Sequence, residues 1–329
     1  MNCFNQLVLD SKERLAMTIG IYPGAALAGM TIMDVVNSCN NQVSASLALA
    51  HRFNTQFVLS AMDLSVEAGA FGSRIQMTQH EVPAVVDRIV TSLSDAQRLV
   101  VPKLGAGRTA MFTNVVSRLH AVYPNKFVLA GCIGPFSLAA RLAGTSEALE
   151  LTLKEPELMH TLLEKSTEFL TQYVLGFRNA GASGIIMAEP TAGLMSPKGL
   201  AEFSSAYVRR IAEAIGDDRF AIILHNCTAK LVHLPAILET GLSSFHFGAP
   251  MDIVTALSEV PTDVVLCGNL DPSGVFVQST VDGVRDRTNE LLAATRGKKN
   301  FVPSSGCDLP GKTPLNNLRA FFDTVSGTI

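Results

Sequence analysis

The chain has 329 residues, of which 47% are hydrophobic and 17% charged, a balance that suits one large α/β domain better than a string of small modules. A net charge of −3 gives no electrostatic basis for binding nucleic acid or an acidic membrane, and no run approaches the roughly 18 apolar residues of a membrane span. The start Met1-Asn2-Cys3-Phe4-Asn5 has no basic segment followed by an apolar one, so a soluble cytoplasmic protein is expected.

About residues 1–54 read as an N-terminal helical extension. Its clearest part is a helical pattern from Asp34 to Phe53, capped at Thr31 or Asp34. Phe57 to Asp63 reads as the first strand, with Asp63 and Glu67 at or just past its end and a turn at Phe71-Gly72. Pro83 to Leu99 and Arg108 to Tyr123 look helical, flanking a weak apolar stretch around Leu99 to Leu104 that stands second in the strand count. Phe127 to Gly131 is a clearer strand, followed by Gly134-Pro135 and a helix through Leu138 to Leu142. Pro156 opens a long amphipathic helix to about Asn179, and Gly184 to Ala188 is a buried strand ending in Glu189-Pro190. The rhythm then repeats. Helices over Pro197–Ile215, Val232–Glu239 and Met251–Leu257 precede strands at Phe220–Leu224, Ser243–Phe247 and Val264–Cys267, and a helix over Val275–Ala294 precedes Phe301-Val302. Strand and helix alternating in about eight units predict a single-domain (β/α)8 barrel spanning 1–329. Gly105-Ala106-Gly107 is a lone G-x-G, so a dinucleotide fold gets no support.

The apolar run Phe220 to Leu224 ends in His225-Asn226-Cys227. Residues two apart on a strand share a face, so His225 and Cys227 can point into one small volume. Cys307, in the loop after Phe301-Val302, is the candidate third ligand. A set of one nitrogen and two sulfurs suits Zn²⁺ better than Mg²⁺ or Ca²⁺, and three protein ligands leave a position for an exogenous one. Cys3, Cys39, Cys132 and Cys267 read as small buried hydrophobes, because six irregularly spaced cysteines form no disulfide framework. Zinc holding an exogenous thiol replaces its proton and keeps it as a thiolate near neutral pH, which argues for alkyl transfer to sulfur.

These features resemble the uroporphyrinogen decarboxylase superfamily, and within it the zinc-dependent corrinoid:thiol methyltransferases typified by methylcobalamin:coenzyme M methyltransferases. The resemblance covers nearly the whole chain. It rests on Met62-Asp63-Leu64-Ser65-Val66-Glu67-Ala68-Gly69-Ala70-Phe71-Gly72, Gly134-Pro135-Phe136-Ser137-Leu138-Ala139, Leu224 to Cys227, Gly268-Asn269-Leu270-Asp271-Pro272, and Gly306-Cys307 followed by Thr313-Pro314-Leu315-Asn316-Asn317-Leu318. It implies a barrel in which His225, Cys227 and Cys307 bind zinc, a methylcorrinoid carried by a separate corrinoid protein, and a small thiol such as coenzyme M as acceptor. Two departures stand out. Gly69 occupies the place of a second acid found in many relatives, and Ile19 to Gly24 lacks the arginines with which decarboxylases grip porphyrin carboxylates.

The other polar residues carry alternatives. Asp63 and Glu67 face the corrinoid or acceptor, or cap the helix after the first strand. Glu189 is a removable fourth zinc ligand, or a strand-end carboxylate paired to a neighbouring base. His246 orients thiol or corrinoid, or is a satisfied structural histidine. Asn269 and Asp271 shape a turn, with Asp271 able to bond a ligand. The competing functions are a porphyrinogen decarboxylase and a non-catalytic zinc-stabilised barrel that binds a corrinoid protein.

Overall fold

A computed structural model describes residues 1–327. Among them the strands are β1 (Phe57–Leu59), β2 (Ile75–Gln76), β3 (Ala84–Val85), β4 (Phe127–Ile133), β5 (Gly184–Ala188), β6 (Ala221–Asn226), β7 (Ser244–Phe247), β8 (Val265–Leu270) and β9 (Phe301–Ser305). Seven form one parallel sheet in the order β1-β4-β5-β6-β7-β8-β9, and β2 with β3 makes a separate antiparallel pair. β4, β5, β6 and β9 are buried at every position, as expected of strands covered on both faces.

Alternation along those strands builds two cores. Leu129, Ile186, Ile223, Val265 and Val302 join Phe57 of β1 in one inner cluster. That strands from both ends of the sheet share it means that the sheet curls. Their neighbours Val128, Ile185, Ile222, Leu266 and Phe301 pack outward against the helices. The inner cluster is closed from below by helix Cys3–Asp10. Phe4 lies 5.7 Å from the rings of Phe57 and Phe127, and Asn5 Nδ2 donates to Ser243 O and Asp263 O, just before β7 and β8.

The expectation of eight regular strands is met in part. Residues 99–104 form no strand; Leu99 and Val101 pack against the outer core while Val100 is 80% exposed. His225 and Cys227 therefore end the fourth strand in the sheet rather than the fifth. Beyond β9 lies a segment with no strand pattern of its own. Met17 makes a single parallel bridge to Ser304, Ile19 N donates to Ser305 Oγ at 3.0 Å, and Met17, Thr18, Gly20 and Ile21 line a small cavity together with β1.

The helix expected over Pro83–Leu99 is confined to Leu93–Arg98, where Ser92 caps it by accepting from Asp95 N. Thr31 is the cap upstream, in a reciprocal box with Asp34. That helix stops at Val36, and a second one capped by Ser38 runs over Cys39–Phe53. The long helix spans Pro156–Asn179, its proline at the first position where a missing N–H costs nothing. Among the described residues no helix is long and apolar enough to cross a membrane.

Candidate metal centre

β6 delivers His225 and, one step past its end, Cys227; the turn after β9 delivers Cys307. One ligand atom from each lies within 4.8 Å of the others. His225 is 3% exposed, whereas both cysteines are partly open. The cluster thus has a dry side and a side facing solvent at the C-terminal ends of the strands, where barrel enzymes place their chemistry.

A hydrogen-bond chain behind the cluster fixes the histidine. Ser304 Oγ donates to Ser305 O at 3.1 Å, so it accepts at 2.9 Å from Nε2–H of His246. The Nδ1 of His246 is then an acceptor, 2.9 Å from Nδ1 of His225. With the Ser304 hydroxyl proton directed to Ser305 O, the shared proton is assigned to His225 Nδ1, which leaves Nε2 as the nitrogen able to ligate a metal. His246 is fully buried; burial, and then the neighbouring His225, hold it well below the usual histidine range, so it stays neutral.

The two thiols are set apart by their mutual hydrogen bond. It pulls Cys227 below its ordinary value, while Cys307 is pushed up to about 12, first by that bond and then by burial. Cys227 thus parts with its proton more readily, and the one that remains stays on Cys307 until something replaces it. A soft divalent ion does so, and this donor set fits one. Cys132 and Cys267 are fully buried, and burial pushes both thiols up; Cys267 lies in the inner apolar cluster and Cys132 in the outer one.

The remaining candidates sit around this centre in supporting positions. Glu189 follows β5 but turns away from the cluster. Its carboxylate accepts from Phe136 N at 2.8 Å, Ser137 N at 2.9 Å and Ser137 Oγ at 2.7 Å, at the positive end of helix Pro135–Ala143. Burial nevertheless brings it up to about 7. Among the described residues it stands outside the clustered ligand atoms, and a helix terminus is its partner. Gly134 makes this possible, since a Cβ there would stand 2.4 Å from Glu189 Cγ.

Asp63 accepts from Ser65 N and Oγ at 3.0 and 2.6 Å and from Arg108 Nη1 at 2.6 Å, which leaves it well satisfied. Glu67 Oε1 accepts from Ile133 N at 3.0 Å and ties helix Val66–Ala70 to the end of β4; Oε2 is buried without a partner, and burial raises the group to about 8. Asn269 Nδ2 donates to Gly248 O and Met251 O. Asp271 is exposed and accepts from Ser273 N and Gly274 N, an Asx turn after β8.

Three partners were missed in the sequence. Ser304 and Arg108 act through strand order and helix placement, which no local pattern reveals. Asp308, adjoining Cys307, was the findable one. No side chain pairs with its carboxyl, and Oδ1 is buried without a hydrogen bond; burial, and Cys307 beside it, push it well above the usual carboxylate range.

A profile of the uroporphyrinogen decarboxylase (URO-D) family matches residues 14–328. The methylcobamide:CoM methyltransferase MtbA of Methanosarcina acetivorans is 26% identical over 265 residues, 79% of this chain and 76% of that one. A uroporphyrinogen decarboxylase of Psychromonas ingrahamii is 25% identical over 306 residues, covering 89% and 85%. A methylated-thiol–coenzyme M methyltransferase of Methanosarcina mazei is 26% identical over 270 residues, covering 81% and 71%. In fold, the chain matches the solved structure of a methyltransferase from Methanosarcina mazei with a TM-score of 0.88 at 20% identity, over 97% and 96% of the two chains.

Proposed function

The chain belongs to the uroporphyrinogen decarboxylase family, and within it we propose a zinc-dependent methyltransferase that moves a methyl group from a protein-bound methylcorrinoid to a small thiol such as coenzyme M. The single observation that carries this reading is the gathering of His225, Cys227 and Cys307 within 4.8 Å, with the histidine presenting a lone pair. Relatives named as CoM methyltransferases support it.

Zinc bound there supplies one thing: it takes the place of the acceptor thiol's proton, so that sulfur stays nucleophilic near neutral pH. The chain's own groups do the rest. His225 contributes a neutral nitrogen held in one tautomer by His246 and Ser304. Cys227 and Cys307 give up their protons to bind the ion, and the apolar inner cluster beneath keeps water from the dry side. The acceptor sulfur forms a bond to the methyl carbon as the carbon–cobalt bond of the donor breaks, its electron pair remaining on the corrinoid; the thiol proton leaves to solvent. We read the fold as a closed single-domain barrel, with the segment around Met17 as its eighth stave, working in the cytoplasm.

The test combines metal analysis with methyl transfer from free methylcobalamin. About one zinc per chain is expected, and thiol addition to the loaded protein should release close to one proton near pH 7, read by calorimetry in buffers of different ionisation enthalpy. Thiol binding without proton release would remove thiol activation. The second reading, a decarboxylase, is favoured by relatives of that name. It leaves the His-Cys-Cys cluster without a task and lacks the arginines at residues 19–24.

A further inference from the structure

Between the two ligands that β6 provides stands a residue that faces the other way. Neighbours on a strand point to opposite faces, so Asn226 looks away from the cluster that His225 and Cys227 enter, and it is 2% exposed. The hydrogen bonds of its side chain all run to Oδ1. Thr228 N donates at 3.2 Å and Ala229 N at 3.0 Å, and the Thr228 hydroxyl lies 3.1 Å away. This is an Asx turn, and it reaches across Cys227.

The turn is held from outside as well. Thr228 Oγ1 donates to Pro190 O at 2.7 Å. His233 accepts from Lys230 N at Nδ1 and donates from Nε2 to Met195 O at 3.1 Å. The two bonds to carbonyls tie the segment after β6 to the segment after β5. Gly193 lets these segments touch, since a Cβ there would stand 2.4 Å from Thr228 Oγ1 and 2.6 Å from Asn226 Oδ1. On the other side Gly248 lies so close that its Cβ would be 2.2 Å from Cys227 O. Upstream, Asn226 pairs with Phe247 in the sheet. Cys227 thus stands between a fixed strand and a fixed turn, although its own side chain is partly open.

We infer that Asn226 is a positioning residue for the metal: its carboxamide oxygen sets the turn that aims Cys227 at the cluster before any ion arrives. The inference rests on the zinc reading above and adds that the site is built in advance. Two thiols that lose their protons repel each other, and a loose loop would let Cys227 swing away. Ordering that loop would then oppose metal binding, by an amount that grows with each residue fixed. Asn226 orders it beforehand with an uncharged acceptor.

The test follows metal binding and not turnover. Asn226→Ala removes the acceptor and strands the amide of Ala229, a fully buried residue, so the turn must rearrange to find another partner. Zinc affinity, read by competition against a chelator, should fall about tenfold or more, as is common when a partner behind the ligands is lost. Thiolate-to-metal absorption of the cobalt-substituted protein should weaken with it. Asn226→Asp keeps an oxygen in the same place and should restore both to within about twofold of wild type. Wild-type affinity and cobalt spectrum in Asn226→Ala overturn the inference, and so does a loss in Asn226→Asp as large as in Asn226→Ala. A wild-type measurement decides even if the variants fail to fold: in the metal-free protein the amides of Thr228 and Ala229 should already exchange slowly with deuterium. Free exchange there until zinc is added means that the ion makes the turn, which refutes the inference. If the wild type takes up no zinc, the metal reading itself falls, and the inference with it.

Discussion

Replacing His246 with phenylalanine isolates the hydrogen-bond chain behind the proposed zinc. Phenylalanine keeps the ring volume in a fully buried site but removes the acceptor 2.9 Å from His225 Nδ1. Without metal, His225 can then move its proton to Nε2 and donate towards the thiols, so the cost to the apo fold is small. Binding zinc forces the proton back to Nδ1, where it has no partner in a dry interior. An unsatisfied buried N–H costs about 1–3 kcal/mol, which is roughly a 5- to 150-fold loss of affinity, and outer-shell partners of metal ligands commonly contribute 10- to 100-fold. Competition against a chelator of known zinc affinity measures this directly, and the melting temperature of the metal-free variant, expected near wild type, checks the fold. His246→Gln, which offers both an acceptor and a donor, should recover part of the loss. Affinity of His246→Phe within about twofold of wild type would refute the tautomer argument.

Other expectations follow from the same geometry. Cys227→Ser and Cys307→Ser should each lose most of the zinc by elemental analysis, whereas Cys132→Ser and Cys267→Ser should retain it; a need for either of the latter would show the ligand set to be wrong. Arg108→Met strands the Asp63 carboxylate, whose side chain is completely buried, at a cost of about 3–5 kcal/mol; urea unfolding should show this, with partial relief when Asp63→Asn is added. Glu67, raised to about 8 against 4.5 unfolded, is neutral in the fold, so its contribution is full below about pH 4.5 and is lost as pH rises through 8. Between pH 5 and 8, wild type should therefore lose melting temperature relative to Glu67→Gln; parallel curves would show that Glu67 titrates normally.

The strands that can be read from the sequence are those buried on both faces. Ala221–Asn226 and Gly184–Ala188 announce themselves as unbroken apolar runs, and the long helix is marked by Pro156 and its periodicity. The first strand pairs only through Leu59 although the apolar pattern runs to Met62, because the chain turns there to present Asp63 to Arg108. The segment at Met17 could not be read, since a single bridge and scattered bonds from Arg14 and Ile19 hold it, and none of these leaves a periodic pattern. In the site, the H-x-C spacing carries its own geometry through strand alternation. The link from His246 to Ser304 does not: it passes across β8, between strands that are not neighbours, and depends on register. The hydrogen bonds of Glu189 were hidden for a similar reason, as they run to a helix terminus and not to a charged side chain.

The seam where residues 14–20 meet β9 bears on how the protein is made. Arg14 bonds to carbonyls of Thr295, Lys298 and Phe301, Met17 bridges Ser304, and Ile19 O holds Leu309 N in the loop that carries Cys307. These contacts join segments more than 280 residues apart, so the early segment must wait on the ribosome until the last strand has been synthesised. His225 and Cys227 emerge well before their third companion is held in place. Metal capture by the complete triad is therefore a late event in biogenesis, and a nascent chain stalled ahead of β9 would expose an unfinished thiol–imidazole pair to whatever ions and oxidants the cell contains.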